Sequence, residues 1–240
     1  MDPERRMNHG GRRSQPRWRD SDRHVLVALR RALDRVLTRP EVLRAGGRVI
    51  DVGAGEAPYR ALFEARGAEY IGCDIDGEAQ VRFLPGQPIP LADGRADLVT
   101  SFQVLEHVWD VGWYLGECRR LVAPSGHLLL STHGVWPYHP HPTDYRRWTR
   151  PGLLGEIETA GFTIVEVDGL VGPLAWTTQI RLLAYSQAAR RLPVIGGALA
   201  AALALGMNTR MVLEDRITPA SVRQDHACVY LVLARPAGSP

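Results

Sequence analysis

The sequence predicts an α/β fold: a mostly parallel sheet of seven strands with helices on both faces, and a helical insertion before the last strand. Two observations carry this expectation. Short apolar runs alternate with helical stretches from residue 48 onward, and strands separated by helices pair in parallel, because the crossover back to the same edge needs a helix. One of those runs also breaks directly into glycines, Val49-Ile50-Asp51-Val52-Gly53-Ala54-Gly55, a strand-to-turn junction suited to holding a ligand.

The elements follow in order. Val25, Leu26, Leu29, Leu33, Val36 and Leu37 recur at helical spacing behind Ser21 or Asp22 as a cap, and Pro40 ends the helix. Residues 48–52 read as a strand and 58–66 as a helix; 70–73 is a strand and 80–84 a weak one. Then come strand 96–102, helix 109–121 and, after the turn Ala123-Pro124-Ser125-Gly126, strand 127–131. A long proline-rich connection spans 132–149. Helix 151–160 ends at Gly161, strand 162–167 follows, and residues 170–224 form one or more helices ahead of a final strand at 227–234.

The chain has 240 residues, which fits a single domain over 21–240 preceded by a flexible basic leader at 1–20. All 29 Lys+Arg residues are arginines, against 26 Asp+Glu. Residues 1–23 hold seven arginines and four acids, a surplus of three that equals the net charge of +3. The body is therefore neutral, which argues against a nucleic-acid partner, since that needs a folded cationic stripe. Cys73, Cys118 and Cys228 are odd in number and lack ligand spacing, as expected in a reducing compartment. The N-terminus carries no apolar signal segment, so the expected location is cytoplasmic. Residues 192–207 are apolar for 16 residues, short of the roughly 20 a membrane-spanning helix needs. Residues 170–207 are accordingly expected to form a lid, a homodimer contact or a peripheral membrane contact.

Gly53 and Gly55 let the backbone turn sharply and let a ligand approach it. Twenty-one residues beyond Gly53 stands Asp74 at the end of the next strand, where a carboxylate can accept hydrogen bonds from both ribose hydroxyls. The third glycine of a dinucleotide fingerprint is replaced by Pro58, and Asp51 would repel a pyrophosphate. The expected ligand is a nucleoside without phosphates.

These residues resemble the class I S-adenosylmethionine-dependent methyltransferases, over roughly 45–170 and the last strand. Asp51-Val52-Gly53-Ala54-Gly55 is similar to the family's first motif, and Asp74 matches its ribose-binding acid. Residues 97–108 (Asp-Leu-Val-Thr-Ser-Phe-Gln-Val-Leu-Glu-His-Val) and 119–130 are similar to its fourth-strand segment and the following helix, turn and strand. The resemblance implies a Rossmann-like fold and S-adenosyl-L-methionine as cofactor. Its contacts would be Asp51, Gly53, Ala54, Gly55, Asp74, Ile75 and Gln103. The family's adenine-binding acid after the third strand is absent; Leu84-Pro85-Gly86-Gln87 stands there. Two readings of another class remain, a non-catalytic cofactor-binding scaffold and an NAD-dependent oxidoreductase.

The sulfonium is already a good leaving group, so catalysis rests on alignment and, for a hydroxyl acceptor, on a base. The loop 131–149 supplies His133, His139 and His141 with aromatic residues. It resembles a His, then Pro-x-Asp-Tyr-x-Arg, aromatic, Thr pattern found in methyltransferases encoded near sugar, cell-envelope or natural-product genes; His139, Asp144, Tyr145, Arg147 and Thr149 fit it. His139 and then His133 are the candidate catalytic residues. Asp144 with Arg147 can equally pin the loop, and Thr149 can cap the next helix. His139, His141 and Asp144 offer metal donors, but alternating prolines make their spacing awkward, and no metal is expected. Glu106-His107 resembles part of the metal site of ubiquinone-pathway O-methyltransferases; Gln103 replaces that pattern's first glutamate, so the pair reads as a helix start. The expected activity is methyl transfer, at oxygen, to a small-molecule or a lipid- or sugar-linked acceptor.

Overall fold

A computed structural model describes residues 13–76, 79–140 and 143–238. Seven strands form one sheet, β1 (Arg48–Val52), β2 (Glu69–Asp74), β3 (Val81–Arg82), β4 (Ala96–Phe102), β5 (Val122–His133), β6 (Phe162–Leu170) and β7 (Val229–Pro236). Their order is β3-β2-β1-β4-β5-β7-β6, with β7 antiparallel to both neighbours and every other pair parallel. The chain steps outward from β1 to β3 and then returns to place β4 on the other side of β1. That reversal opens a crevice at the carboxyl ends of β1 and β4, where ligands bind in sheets of this kind.

Alternation along the strands explains why both faces are covered. Val49, Leu98 and Leu129 point to one side, where they meet Leu29, Leu33 and Leu37 of helix α1 (Arg23–Leu37). Ile50, Val99, Leu128 and Leu130 point to the other and pack on Tyr114, Leu115 and Leu121 of α3 (Val111–Leu121). A strand apolar at consecutive positions is what a parallel sheet buried on both faces requires. Short α2 (Arg60–Glu64) follows β1, and α4 (Arg150–Thr159) follows the long connection. Thr149 caps α4 by accepting a hydrogen bond from the Gly152 N–H at 3.3 Å, as its position suggested.

β5 and β6 outrun their sequence boundaries the furthest. β5 begins at Val122 because the pairing with β4 continues through a register shift between Ala96 and Leu98. Gly126 makes that passage possible, since a Cβ there would sit 2.7 Å from the Ala96 carbonyl oxygen. β6 runs on to Leu170 because β7 pairs with it as far as Val229.

The insertion consists of α5 (Pro173–Ala189), α6 (Gly196–Ile217) and α7 (Ala220–Asp225). The helix is longer than the 16 apolar residues at 192–207 suggest. The helix continues through Asn208 and Thr209 for 22 residues, its most apolar 18-residue window has a mean hydropathy of 1.2, and by length and composition alone it is long enough to cross a membrane. Its buried stripe, Gly196, Ala200, Ala204, Asn208 and Met211, repeats about every fourth residue and faces the protein. Gly196 comes so close to α5 that a Cβ would lie 2.4 Å from the Ala189 carbonyl oxygen.

The leader expected at 1–20 also needs correction at its end. Residues 1–12 lie outside the described residues, but 17–21 are tied to the insertion. Buried Asn208 donates to the carbonyl oxygens of Trp18 (2.9 Å) and Asp20 (3.0 Å), and Gln179 donates to that of Ser21. An Asn208→Leu substitution should therefore cost about 1–3 kcal/mol in urea unfolding by stranding two acceptors. It should also make residues 13–21 the earliest site of limited proteolysis, while the sheet stays resistant.

Candidate functional site

The crevice is built from two loops held by backbone chemistry. Gly53 leaves β1 with φ +79°, and its N–H and that of Ala54 both donate to the Cys73 carbonyl, at 2.8 and 3.0 Å. A Cβ on Gly53 would lie 2.5 Å from Val104 Cγ2, so only glycine lets the β4 end approach. At Gly55 (φ +55°) a Cβ would meet nothing within 4 Å, which leaves the outer surface of the turn open. The Gly55 N–H donates to Asp74 Oδ2 at 2.7 Å and the Asp76 N–H to Oδ1 at 3.1 Å, so Asp74 locks the first loop to the second. Ile75 stands exposed beside it.

Asp51 is placed differently from the expectation that it contacts a ligand. It is buried, and its two oxygens accept from the Tyr70 hydroxyl (2.6 Å) and the Thr100 hydroxyl (2.8 Å) on the flanking strands. Burial pushes its carboxyl up to about 6 against those two hydrogen bonds. Its work is to fasten β1 to β2 and β4 beneath the turn. Leu84 and Gln87 after β3 are both exposed.

Gln103, the next expected ligand neighbour, ends β4 with φ +58°, a conformation that non-glycine residues rarely hold. Its N–H bonds the Ser131 carbonyl, its side-chain amide donates to Ser131 Oγ at 3.0 Å, and its buried Oε1 has no partner. Beside it stands a residue that the sequence places only as a helix start. Glu106 does not begin a long helix; it sits in a single 3-10 turn (Leu105–His107) and is fully buried. Its Oε2 accepts from the Thr132 hydroxyl at 2.8 Å, while Oε1 lies 3.4 Å from His133 Nε2 without a hydrogen bond. A glutamate directly after Leu105 and just beyond strongly apolar β4 was the available signal, but its partners come from β5.

The two candidate histidines are brought together, with rings 5.1 Å apart and nearly perpendicular, and His107 is 4.9 Å from His139. His133 stacks on Trp136. His141 lies outside the described residues. Asp144 does pin the loop: it takes Arg147 Nη1 and Nη2 at 2.6 Å each and the His139 N–H at 2.9 Å. Burial alone would raise Asp144, but those bonds outweigh it and hold the carboxyl well below its usual range. Burial, reinforced by neighbouring His107 and Arg147, pushes His139 down to about 4. The same causes, burial first, hold His133 well below its normal value. Burial raises Glu106 to about 7, opposed by hydrogen bonds from its own backbone and Thr132. The site thus keeps two neutral imidazoles beside a carboxyl that titrates near neutrality.

Glu106, His133 and His139 present ligand atoms within 4.8 Å of one another, and Glu106 Oε1 lies 3.4 Å from His133 Nε2, close to the roughly 3.4 Å between ligands of one tetrahedral ion. The Arg147 guanidinium, 3.5 Å from His139 Nδ1, disfavours a cation there. Proton transfer is the chemistry this cluster suits. A recess of about 460 Å³ nearby, along α2, is lined by Arg30, Asp34, Arg60 and Arg66, already joined in ion pairs.

A family model described as a methyltransferase domain matches residues 21–167, more than half of the chain. The chain belongs to that family, the class I S-adenosylmethionine-dependent methyltransferases. Its cofactor is S-adenosyl-L-methionine, and the oxidoreductase alternative falls away. Among curated relatives, a probable S-adenosylmethionine-dependent methyltransferase of Mycolicibacterium smegmatis is 31% identical over 144 residues, covering 52% of this chain and 56% of its own. A ubiquinone biosynthesis O-methyltransferase of Acinetobacter baumannii is 30% identical over 161 residues, covering 52% and 68%. The methyltransferase thus spans little more than half of the mycobacterial relative's length. Solved structures share the fold at low identity: a putative sarcosine dimethylglycine methyltransferase from Galdieria sulphuraria (TM-score 0.59, 13% identity, 90% of this chain and 88% of that one) and the [4+2]-cyclase SpnF (TM-score 0.54, 19%, 87% and 82%).

The raised Glu106 carboxyl has a measurable consequence for this methyltransferase. Its folded value near 7 lies above the ordinary value of 4.5, so the folded state binds the extra proton. The stability that this provides is present below pH 4.5 and lost as pH rises through 7. Relative to Glu106→Gln, wild type should lose on the order of 3 kcal/mol between pH 4 and pH 8 in paired denaturation curves.

Proposed function

We propose that this methyltransferase methylates an oxygen of a small or lipid- or sugar-linked acceptor, with His139 receiving the proton. The observation that carries the proposal is the Glu106–His133–His139 cluster at the ends of β4 and β5, next to the glycine turn. The 30% identity to a ubiquinone biosynthesis O-methyltransferase supports oxygen as the acceptor atom.

On this reading the Gly53-Ala54-Gly55 backbone holds the methionine part of the cofactor and Asp74 accepts from the ribose hydroxyls, with Ile75 against the adenosine. Open space above Gly55, the partnerless Gln103 Oε1 and the acid at the rim all fit such a guest. When bound, the cofactor supplies a sulfonium methyl and leaves as neutral S-adenosylhomocysteine. His139 has 26% side-chain exposure against 7% for His133, so it is the imidazole that an acceptor can touch. It takes the hydroxyl proton as the oxygen–carbon bond forms and the sulfur–carbon bond breaks. Asp144, 3.4 Å from its Nδ1, then steadies the imidazolium, while Glu106 balances charge behind His133. Helices α5 and α6 act as a lid over the acceptor side of a single domain, since Trp136 packs with both His133 and the insertion.

Incubation with methyl-labelled cofactor and fractionated acceptors tests the reading: label on oxygen supports it, and label only on nitrogen, carbon or nucleic acid, or no transfer, overturns it. Asp74→Ala should weaken S-adenosylhomocysteine binding by about 1–3 kcal/mol in calorimetric titration. His139→Ala should lower kcat/KM by about 10²–10⁴-fold with that affinity unchanged. Because His139 titrates at about 4, the acid limb of the kcat/KM profile should fall near that pH rather than near 6.5.

A further inference from the structure

The insertion carries an apolar surface that no described residue covers. No charged residue occurs between Arg191 and Arg210, yet α6 buries only Gly196, Ala200, Ala204, Asn208 and Met211, with Leu203 and Met207 partly covered, and leaves Leu199 and Leu205 exposed. A helix apolar on all sides is ordinarily surrounded by apolar neighbours. Only 28% of its apolar window is buried. The connection entering it is more open still: Val194 is fully exposed, Ile195 is 61% exposed and Leu192 is nearly half exposed. Val194 also holds φ +64°, which β-branched residues avoid and which a water-facing turn would assign to Gly or Asn.

Cations frame this surface. Exposed Arg190 and Arg191 precede the tip. Arg17, Trp18 and Arg19 line a recess of about 420 Å³ together with Ala201, Ala202 and Leu205 of α6, and the Arg23 guanidinium lies 3.6 Å over the Trp18 ring. Guanidinium pairs well with phosphate, and tryptophan suits the boundary between headgroup and acyl chain. The far half of α6 is fixed in the protein: Asp215 bonds His24 and accepts the Gly172 N–H, and Arg210 pairs with Glu214. That half carries four charges, at Arg210, Glu214, Asp215 and Arg216, and does not suit a bilayer core.

We infer that the surface formed by residues 192–205 and flanked by these arginines seats the protein on an anionic phospholipid bilayer, lying in the interface rather than spanning it. The helix inserts its tip and one apolar face, and the arginines meet the phosphates. Trp136 packs against the buried cluster that includes Ala204 on the inner side of α6 and stacks on His133. The inference holds whichever atom is methylated.

Flotation of the full chain with phosphatidylcholine vesicles, with and without phosphatidylglycerol, tests it. Binding should be several-fold stronger with phosphatidylglycerol and weaken with salt. Val194→Asp with Ile195→Asp should reduce it about tenfold or more, and Arg190→Glu with Arg191→Glu should remove the preference for anionic lipid. Both pairs lie at exposed positions, and an unchanged thermal transition checks that they fold. Three results would each overturn the inference: no flotation with either vesicle, flotation indifferent to the aspartates, or a lipid-free dimer in sedimentation that the aspartates dissociate. The last would assign the surface to a second copy of the chain.

Discussion

The site depends on how closely the end of β1 approaches the segment after β4. At Gly53 there is no room for a methyl group beside Val104, and that contact sets Gln103 and Glu106 next to the turn. From there the order is continuous. Gln103 bonds Ser131, Glu106 bonds Thr132, and His133 follows in the same strand. Asp74 secures the other side through the Gly55 N–H. A side chain at position 53 would separate the glycine turn from the surface lined by Glu106, His133 and His139.

That second surface is organised by what it withholds from water. Burial keeps both histidines unprotonated and the Glu106 carboxyl close to neutral. Such groups can move a proton without the cost of stripping a full hydration shell from a charge. Arg147 is the fixed charge nearby; Asp144 occupies it, and its remaining donors hold the carbonyls of Trp136 and Pro137. The loop that carries His139 is thereby held by its own chain, independent of any acceptor.

Where a pattern repeats along the chain, the sequence made the fold legible. Apolar Val49, Ile50 and Val52 and the run 128–130 marked strands covered on both sides, and the glycine break with Asp74 marked the turn after β1. What stayed hidden arises between segments distant in sequence. Nothing local shows that Asp51 turns inward, because Tyr70 and Thr100 claim it from neighbouring strands. Glu106 shows its burial only when Thr132 and His133 lie alongside. The helix after Gly196 ran past Asn208 because that polar side chain finds acceptors in Trp18 and Asp20, 190 and 188 residues away. Capping could be read from Thr149, since a cap needs only its own neighbours.

The exclusive use of arginine has a chemical corollary. This chain offers no ε-amine anywhere along its length, so acylating or ubiquitin-conjugating enzymes that target lysine have nothing on its side chains to modify, and amine-directed labels leave its folded surface untouched. Its arginine charge stays constant across the whole physiological pH range, and carboxyls and imidazoles register acidity.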